Sequence, residues 1–407
     1  MGVFCMVKKI VLILLTLFTK ISAEQKVIAH IFIHGTRCSL LSLVSAIPMA
    51  KQALRDDHLY SRVVATSRND LRFQESQVML DRGMIEITHG MIDRCRNLNL
   101  DSTFSKKAAI HAVNGYDYLN SDKLNIHHYY TYGWDGMLSD HYRKNDSLAM
   151  YKALISLRDK LSKEYPNKKI SFILHGHSHG GNLILYLPFH ENNLKQNLVI
   201  DYTLLYGTPI QIETASYCLH PLFKTIINIY SEGDHIQIAD KISTASRTSG
   251  RRLHDIVSIQ NRPIIDVCIS AAYDRKAFSH ASYFFIGEYQ KGVSKARRHI
   301  FNDLKYVPIV TLAPLFIELI EKTYTATKEP QLNLNFSKEN NQCILCAETI
   351  DKRYASKSKN LIPLINPINN IIEKVWKPAA SYKGPVNVAK LAMLNLMEAT
   401  AHSVSKN

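Results

Sequence analysis

Short apolar runs recur along the chain between residues 26 and 270, and each has the length of a buried strand. The first run, KVIAHIFI over residues 26–33, ends in His34-Gly35-Thr36. Runs of this kind, rich in β-branched and aromatic side chains, are typical of strands that a parallel sheet covers on both faces. The same character recurs at residues 127–133, 169–174, 201–206, 225–230 and 263–269.

Helical periodicity fills the gaps between several of these runs. Asp146-Ser147 makes a good helix start, and Met or Leu then recurs at helical spacing over residues 150–161. Strands separated by helix-sized segments predict an α/β fold with a mostly parallel central sheet and helices on both faces. Residues 37–125 interrupt this rhythm with apolar patches of helical character at 40–54 and 77–95, and we expect them to form a helical insertion over the core.

Both ends of the chain differ from this central part. Lys8 and Lys9 precede an apolar run at residues 10–18, and Ala23 is suited to signal-peptidase cleavage, so residues 1–23 are predicted to be a signal peptide. The rhythm changes again near residue 290, and the chain from Thr327 onward is rich in Asn, Lys and Pro with an amphipathic stretch at 386–397. We therefore expect a main α/β domain over residues 24–290 and a helical or irregular C-terminal appendage over 291–407.

Composition narrows the class of protein. An apolar fraction of 46% and a charged fraction of 21% in 407 residues are typical of soluble globular domains. The net charge of +15 favours anionic surroundings such as phospholipid head groups, although most surface lysines only interact with water. Six cysteines follow the predicted signal peptide, and the lone pair Cys343-x-x-Cys346 favours either a local disulfide or two free thiols.

The stretch HGHSHGGN at residues 175–182 has two incompatible interpretations. As H-x-H-x-H, it would place His175, His177 and His179 on one face of a strand, where they could bind a metal. The four residues GHSH also match the last motif of calcineurin-like metallophosphoesterases. However, those enzymes need further metal ligands upstream, and neither G-D-x-x-D nor G-N-H-[DE] precedes residue 175. Three histidines without such carboxylates are a weak indication of a metal site.

As G-x-S-x-G, the same stretch predicts a nucleophilic serine at a sharp turn. Such a turn requires a buried strand before it, small residues beside the serine and a helix after it. Residues 170–174 supply the strand, and Gly176 and Gly180 flank Ser178. The chain has 16 glycines in all, so three within six residues, with Gly181, is informative. Pro188 is expected to end the following helix early.

On these residues the chain resembles the α/β-hydrolase superfamily, most closely its lipase and esterase branch, over residues 26–289. The resemblance makes residues 24–290 a catalytic domain with Ser178 as nucleophile. It also implies an oxyanion hole formed by two backbone N–H groups, one from Thr36 after the early strand and one from His179 after the nucleophile.

The resemblance further implies an acid and a base that follow the serine in chain order. Asp234 ends a predicted strand in NIYSEGD and is the preferred acid, with Asp240 and Asp201 as alternatives. His280 follows the last predicted strand and is the preferred base, with His254 as the alternative. The acid would orient the histidine and stabilise the imidazolium that forms when the ring takes the serine proton.

The sequence thus predicts an exported serine hydrolase, secreted or periplasmic, that cleaves acyl esters through an acyl-enzyme without a cofactor or a metal. The expected partners are an acyl-ester or lipid substrate and an anionic membrane surface contacted peripherally, and no nucleic acid. Two alternatives stay open. One is a metal-dependent phosphoesterase that uses the GHSH motif, and the other is a catalytically silent hydrolase fold that acts as a binding module.

Overall fold

A computed structural model describes residues 25–36, 77–97, 107–120, 122, 124–136, 140–239, 246, 248–259, 262–286, 300 and 302–375. The predicted signal peptide, the helical patch at 40–54 and the amphipathic stretch at 386–397 lie outside these residues. No helix within the described part of the chain is long and apolar enough to span a membrane.

The described strands form one ten-stranded sheet and one small ribbon. The order in the sheet is β2-β3-β1-β4-β5-β7-β9-β10-β11-β12, and β6 pairs with β8 in the ribbon. The strands are β1 (Val27–Ile33), β2 (Gly83–Ile87), β3 (Ile126–Gly133), β4 (Ile170–His177), β5 (Ile200–Tyr206), β6 (Ile210–Gln211), β7 (Phe223–Tyr230), β8 (Ser249–Gly250), β9 (Ile264–Ala271), β10 (Gln331–Glu339), β11 (Gln342–Thr349) and β12 (Ala355–Lys357). Neighbouring strands from β3 to β10 are parallel, whereas β2, β11 and β12 pair antiparallel with their neighbours. Each apolar run predicted to be a strand lies in this sheet.

Helices connect the strands. They are α1 (His89–Arg96), α2 (Ala108–Leu119), α3 (Asp140–Glu164), α4 (His179–Leu185), α5 (Leu187–Leu194), α6 (Ile212–Ala215), α7 (Ile236–Ala239), α8 (Ala313–Thr327) and α9 (Ile362–Val375). Short 3₁₀ turns occupy Ser216–Leu219, Leu253–Asp255, His280–Tyr283 and Ile309–Leu312. As expected, α4 ends early, and Pro188 lies in the first turn of α5, where its missing N–H costs nothing.

Alternate residues of each central strand enter two separate apolar cores. On β4, Ile173 packs in one core together with α2, α8 and α9. Its neighbours Phe172 and Leu174 pack in the other core with α3, α4 and α5. Because side chains alternate along a strand, this division means that helices cover both faces of the sheet, which confirms the predicted α/β layering.

The structure differs from the sequence-based expectation at residues 77–95. The sequence pattern predicts helical character here, but Gly83–Ile87 forms strand β2, which pairs antiparallel with β3 at the sheet edge. Only the part after Thr88 is helical, and the Thr88 side chain caps α1 by accepting a hydrogen bond from the Met91 N–H. Pairing with a neighbouring strand has outweighed the local helical pattern, as is common for strands.

The C-terminal region also differs from the expected helical or irregular appendage. Residues 331–357 form three strands of the main sheet, and β10 pairs in parallel with β9. Leu332, Leu334 and Phe336 are fully buried at alternate positions of β10, so this strand covers an edge of β9 that would otherwise be open. The sheet therefore continues well beyond residue 290.

The five described cysteines that follow the predicted signal peptide are buried free thiols. Cys343 and Cys346 both lie on β11, and residues an odd number of positions apart on a strand face opposite sides of the sheet. A disulfide between them is therefore geometrically excluded, and the two-thiol alternative applies.

Candidate active site

Ser178 occupies a sharp turn between β4 and α4. Its backbone has φ of 53° and ψ of −129°, a conformation that is strained for a residue with a Cβ. Gly176 and Gly180, two positions before and after the serine, have no space for a side chain. A Cβ at Gly176 would lie 2.8 Å from the Gly181 Cα, and a Cβ at Gly180 would lie 2.5 Å from the His34 carbonyl oxygen. The predicted glycine pattern is thus required by close backbone contacts on both sides of the serine.

Asp234 and His280 form a hydrogen-bonded pair. The His280 Nδ1 lies 2.8 Å from the Asp234 Oδ2, and the Asp234 side chain is fully buried. The Asp234 Oδ1 accepts a hydrogen bond of 3.1 Å from the backbone N–H of Ile236, which fixes the carboxylate from its other side. When Nδ1 donates to this carboxylate, Nε2 carries the lone pair of the neutral ring and can accept a proton.

Close contacts bring the serine turn and the acid–histidine pair to the same edge of the sheet. His177, the residue before Ser178, lies with its ring centroid 4.7 Å from that of His280. The Ser178 N–H donates to the carbonyl of Tyr206 at the end of β5 over 2.9 Å. The next residue, Gly207, has φ of 58°, and a Cβ there would lie 2.7 Å from the Asp234 Oδ2. Ser178 and the Asp234–His280 pair therefore lie at the same edge, at the carboxyl ends of β4, β5, β7 and β9, where parallel α/β sheets commonly bind ligands.

His254, the alternative base, and Asp201, one alternative acid, interact with other residues. The His254 Nδ1 is 2.6 Å from the Asp266 Oδ2 at the start of β9, so this histidine belongs to a second buried pair. Asp201 is the second residue of β5 and lies at the opposite end of the strand from Tyr206. Its Oδ1 is 2.5 Å from the Lys224 Nζ. Asp240 falls outside the described residues.

The segment expected to supply the first oxyanion donor lies directly against the serine turn. A Cβ at Gly35 would be 2.7 Å from the Ser178 Cβ, so Thr36 follows at close range. His179, the second expected donor, is the first residue of α4. Backbone N–H groups at a helix N-terminus have no partner within the helix and carry a partial positive charge. Such groups can stabilise a developing oxyanion.

Sequence reasoning missed the residue that holds this segment. The Trp134 Nε1, which no sequence pattern links to this segment, donates a hydrogen bond of 2.7 Å to the His34 carbonyl oxygen. Its ring also stacks on the His34 ring at 5.8 Å. The position of Trp134 just after β3, the strand that pairs with β1, was the only available signal.

His175 and His177 are two positions apart on β4 and share a face, whereas His179 lies beyond the strand. The His175 ring stacks on Phe32 at 4.6 Å, and the His177 ring stacks on Phe284 at 5.0 Å. His179 instead lies in α4, where its Nδ1 is 3.3 Å from the Asn182 amide nitrogen. Within the described ranges, no group of three or more His, Cys, Asp or Glu side chains could hold a metal ion.

Burial determines the protonation of two of these rings. Desolvation lowers the pKa of His175 to about 3. Desolvation, followed by the neighbouring His280 ring, holds the pKa of His177 well below its ordinary value. Both rings are therefore neutral near pH 7.

The sheet order, the strained turn at Ser178 and the helices on both faces define an α/β-hydrolase-like fold.

No family model and no curated protein matches the sequence. Among solved structures, the chain is similar to a hyperthermophilic esterase from the archaeon Pyrobaculum calidifontis, with 9% identity, a TM-score of 0.27 and coverage of 92% of this chain and 78% of that one. A monoclinic form of the Pyrobaculum calidifontis esterase gives the same values. A thermostable carboxylesterase cloned from a metagenomic library shows 9% identity, a TM-score of 0.28 and coverage of 88% and 83%.

Proposed function

We propose that this protein is a serine hydrolase that cleaves acyl esters through an acyl-enzyme. The observation that carries the proposal is the hydrogen bond between the His280 Nδ1 and the buried Asp234 carboxylate, beside a serine held in a strained turn. In an activated serine nucleophile, a buried acid orients a histidine that accepts the serine proton, and we assign these three roles to Asp234, His280 and Ser178.

The proposed reaction begins when the Ser178 Oγ attacks the carbonyl carbon of the ester while the His280 Nε2 accepts the hydroxyl proton. Asp234 stabilises the resulting imidazolium, and the N–H groups of Thr36 and His179 stabilise the tetrahedral oxyanion. The intermediate then collapses, the bond to the leaving alkoxide breaks, and His280 delivers its proton to that oxygen. Water attacks the acyl-enzyme in a second round, with His280 again accepting and returning the proton.

The proposed setting and substrate class follow from charge and from the N-terminal residues. The apolar run after Lys8 and Lys9 supports export, and the net charge of +15 supports peripheral contact with anionic lipid surfaces. We therefore propose an exported hydrolase of carboxylic esters, including lipid esters.

A fluorophosphonate probe tests the proposal because it forms a covalent adduct with an activated serine. Intact-mass analysis of wild type should give one adduct, which Ser178→Ala abolishes. His280→Ala should slow labelling on the order of 10²- to 10⁴-fold because the general base is lost. Asp234→Asn should slow it by a comparable factor because the ring is no longer held in the required tautomer.

Two exposed residues of α3 provide matched controls. Ser156→Ala and His141→Ala remove the same groups at exposed positions and should label at the wild-type rate. An adduct that persists in Ser178→Ala would refute the assigned nucleophile. Absence of any adduct on wild type, under conditions where a known serine hydrolase labels, would favour the catalytically silent binding fold.

A further inference from the structure

We propose that His177 is a positioning residue that holds His280 in place by donating a hydrogen bond to its backbone carbonyl. This inference rests on the proposed function, because it assigns a role relative to the base of that reaction. It goes beyond it by giving a function to a histidine that none of the proposed chemical steps uses.

The contacts of His177 are specific to His280. The His177 Nε2 lies 3.0 Å from the His280 carbonyl oxygen, and a carbonyl can only accept, so Nε2 carries the hydrogen. The His177 ring contacts the His280 ring, with centroids 4.7 Å apart. It also stacks on the Phe284 ring, with centroids 5.0 Å apart and an angle of 11° between the planes. His280 is thus held twice, at its side chain by Asp234 and at its backbone by His177.

The other ring nitrogen of His177, Nδ1, is enclosed by neighbouring residues. This nitrogen is buried and makes no hydrogen bond within the described residues. A Cβ at Gly35 would lie 3.0 Å from this nitrogen, so the segment after β1 closes over it. Since burial keeps the ring neutral, it places no positive charge beside the imidazolium that His280 becomes during the reaction.

The position of His177 in the chain makes this contact consequential. It directly precedes Ser178, so one peptide bond connects the residue that fixes the base to the residue that carries the nucleophile. The turn at His280–Tyr283 also has capping hydrogen bonds between Ser279 and Ser282, but these are internal to the turn and do not connect it to Ser178. A displacement of about 1 Å in such an arrangement can cost about 100-fold in rate.

Two variants of His177 separate positioning from general stability. In His177→Gln, the amide nitrogen lies at the distance of Nε2 and can still donate to the His280 carbonyl. In His177→Asn, the amide nitrogen lies at the distance of Nδ1 and falls short. The control is His175→Gln, which makes the same change at a buried histidine on the same strand that contacts Phe32 and Tyr206 instead.

The measurements are kcat and KM for p-nitrophenyl butyrate and the rate of fluorophosphonate labelling. We expect His177→Asn to lose about 10- to 100-fold in kcat and in labelling rate with little change in KM, because only the geometry of the base is disturbed. His177→Gln and His175→Gln should stay within about threefold of wild type.

The outcomes distinguish this inference from the proposed function. If wild type labels at Ser178 and His177→Asn labels equally fast, the inference is overturned and the hydrolase stands. Equal losses in His177→Gln and His177→Asn, or equal losses in the His175 control, would also overturn it, because the hydrogen bond to the carbonyl would not be the cause. Failure of wild type to label or to hydrolyse the ester would overturn the proposed function itself.

Discussion

His175 makes the stability of this protein sensitive to acid. The ring is fully buried between Phe32 and Tyr206, and desolvation lowers its pKa to about 3. In the unfolded chain, the same ring accepts a proton at its ordinary pKa of about 6.5. Between these two values the unfolded state binds a proton that the folded state does not, so stability falls as the pH decreases below about 6.5.

The magnitude follows from the interval crossed. One pH unit corresponds to about 1.4 kcal/mol, so a decrease from about pH 7.5 to about pH 5 costs about 2 kcal/mol at this single site. Burial shifts the pKa values of His30 and His177 in the same direction, so they add to the loss. Because whole proteins are stable by about 5–15 kcal/mol, this loss is a large share of the total.

Urea unfolding of wild type and His175→Phe at both pH values isolates the contribution of His175. The variant leaves the Tyr206 hydroxyl without a partner, which costs about 1 kcal/mol at either pH. The stability advantage of wild type over the variant should therefore shrink by about 2 kcal/mol on acidification, and its sign should reverse. His141→Phe, at an exposed position, should show no such change. An advantage that is the same at both pH values would refute the argument that His175 stays neutral in the fold.

Two further predictions concern packing and the second histidine–aspartate pair. Gly181→Ala should destabilise by about 1–3 kcal/mol, because its Cβ would lie 2.0 Å from the Thr208 Oγ1, and adding Thr208→Ala should recover part of the loss in thermal unfolding. In Gly90→Ala, the nearest atom would be 3.9 Å away, so the same change should be neutral or slightly stabilising, and equal losses at both glycines would contradict the steric explanation. Asp266→Asn should lower stability by about 1–3 kcal/mol but leave the fluorophosphonate labelling rate unchanged, whereas Asp234→Asn should slow labelling. A slowed labelling rate in Asp266→Asn would contradict the assignment of catalysis to the Asp234–His280 pair.

The parts of the fold that sequence predicts well are those that local pattern specifies. Each central strand is a short apolar run, and the turn at Ser178 is recognisable because glycine alone fits at Gly176 and Gly180. The early end of α4 follows from Pro188, which cannot continue a helix but suits the first turn of the next one. These features depend on residues within about one turn of each other, so the sequence displays them directly.

Other features depend on contacts between distant residues. The strand at Gly83–Ile87 forms because it pairs with the free edge of β3, and β10 forms because it pairs with the free edge of β9. Neither pairing can be recognised from the local sequence. The role of Trp134 likewise depends on a carbonyl 100 positions earlier in the chain. Local propensity is a weak determinant wherever such pairing is available.

The sequence by itself determined the α/β class and the turn that presents Ser178, because strand length, helical spacing and glycine placement are local constraints. Only the tertiary structure decided which histidine pairs with which carboxylate. His254 is 12 residues from Asp266 and His280 is 46 residues from Asp234, and chain order allowed either histidine as the base. The physical reason is that Asp234 and His280 follow two different parallel strands, β7 and β9, so the pairing of those strands, which long-range packing fixes, brings the two residues together.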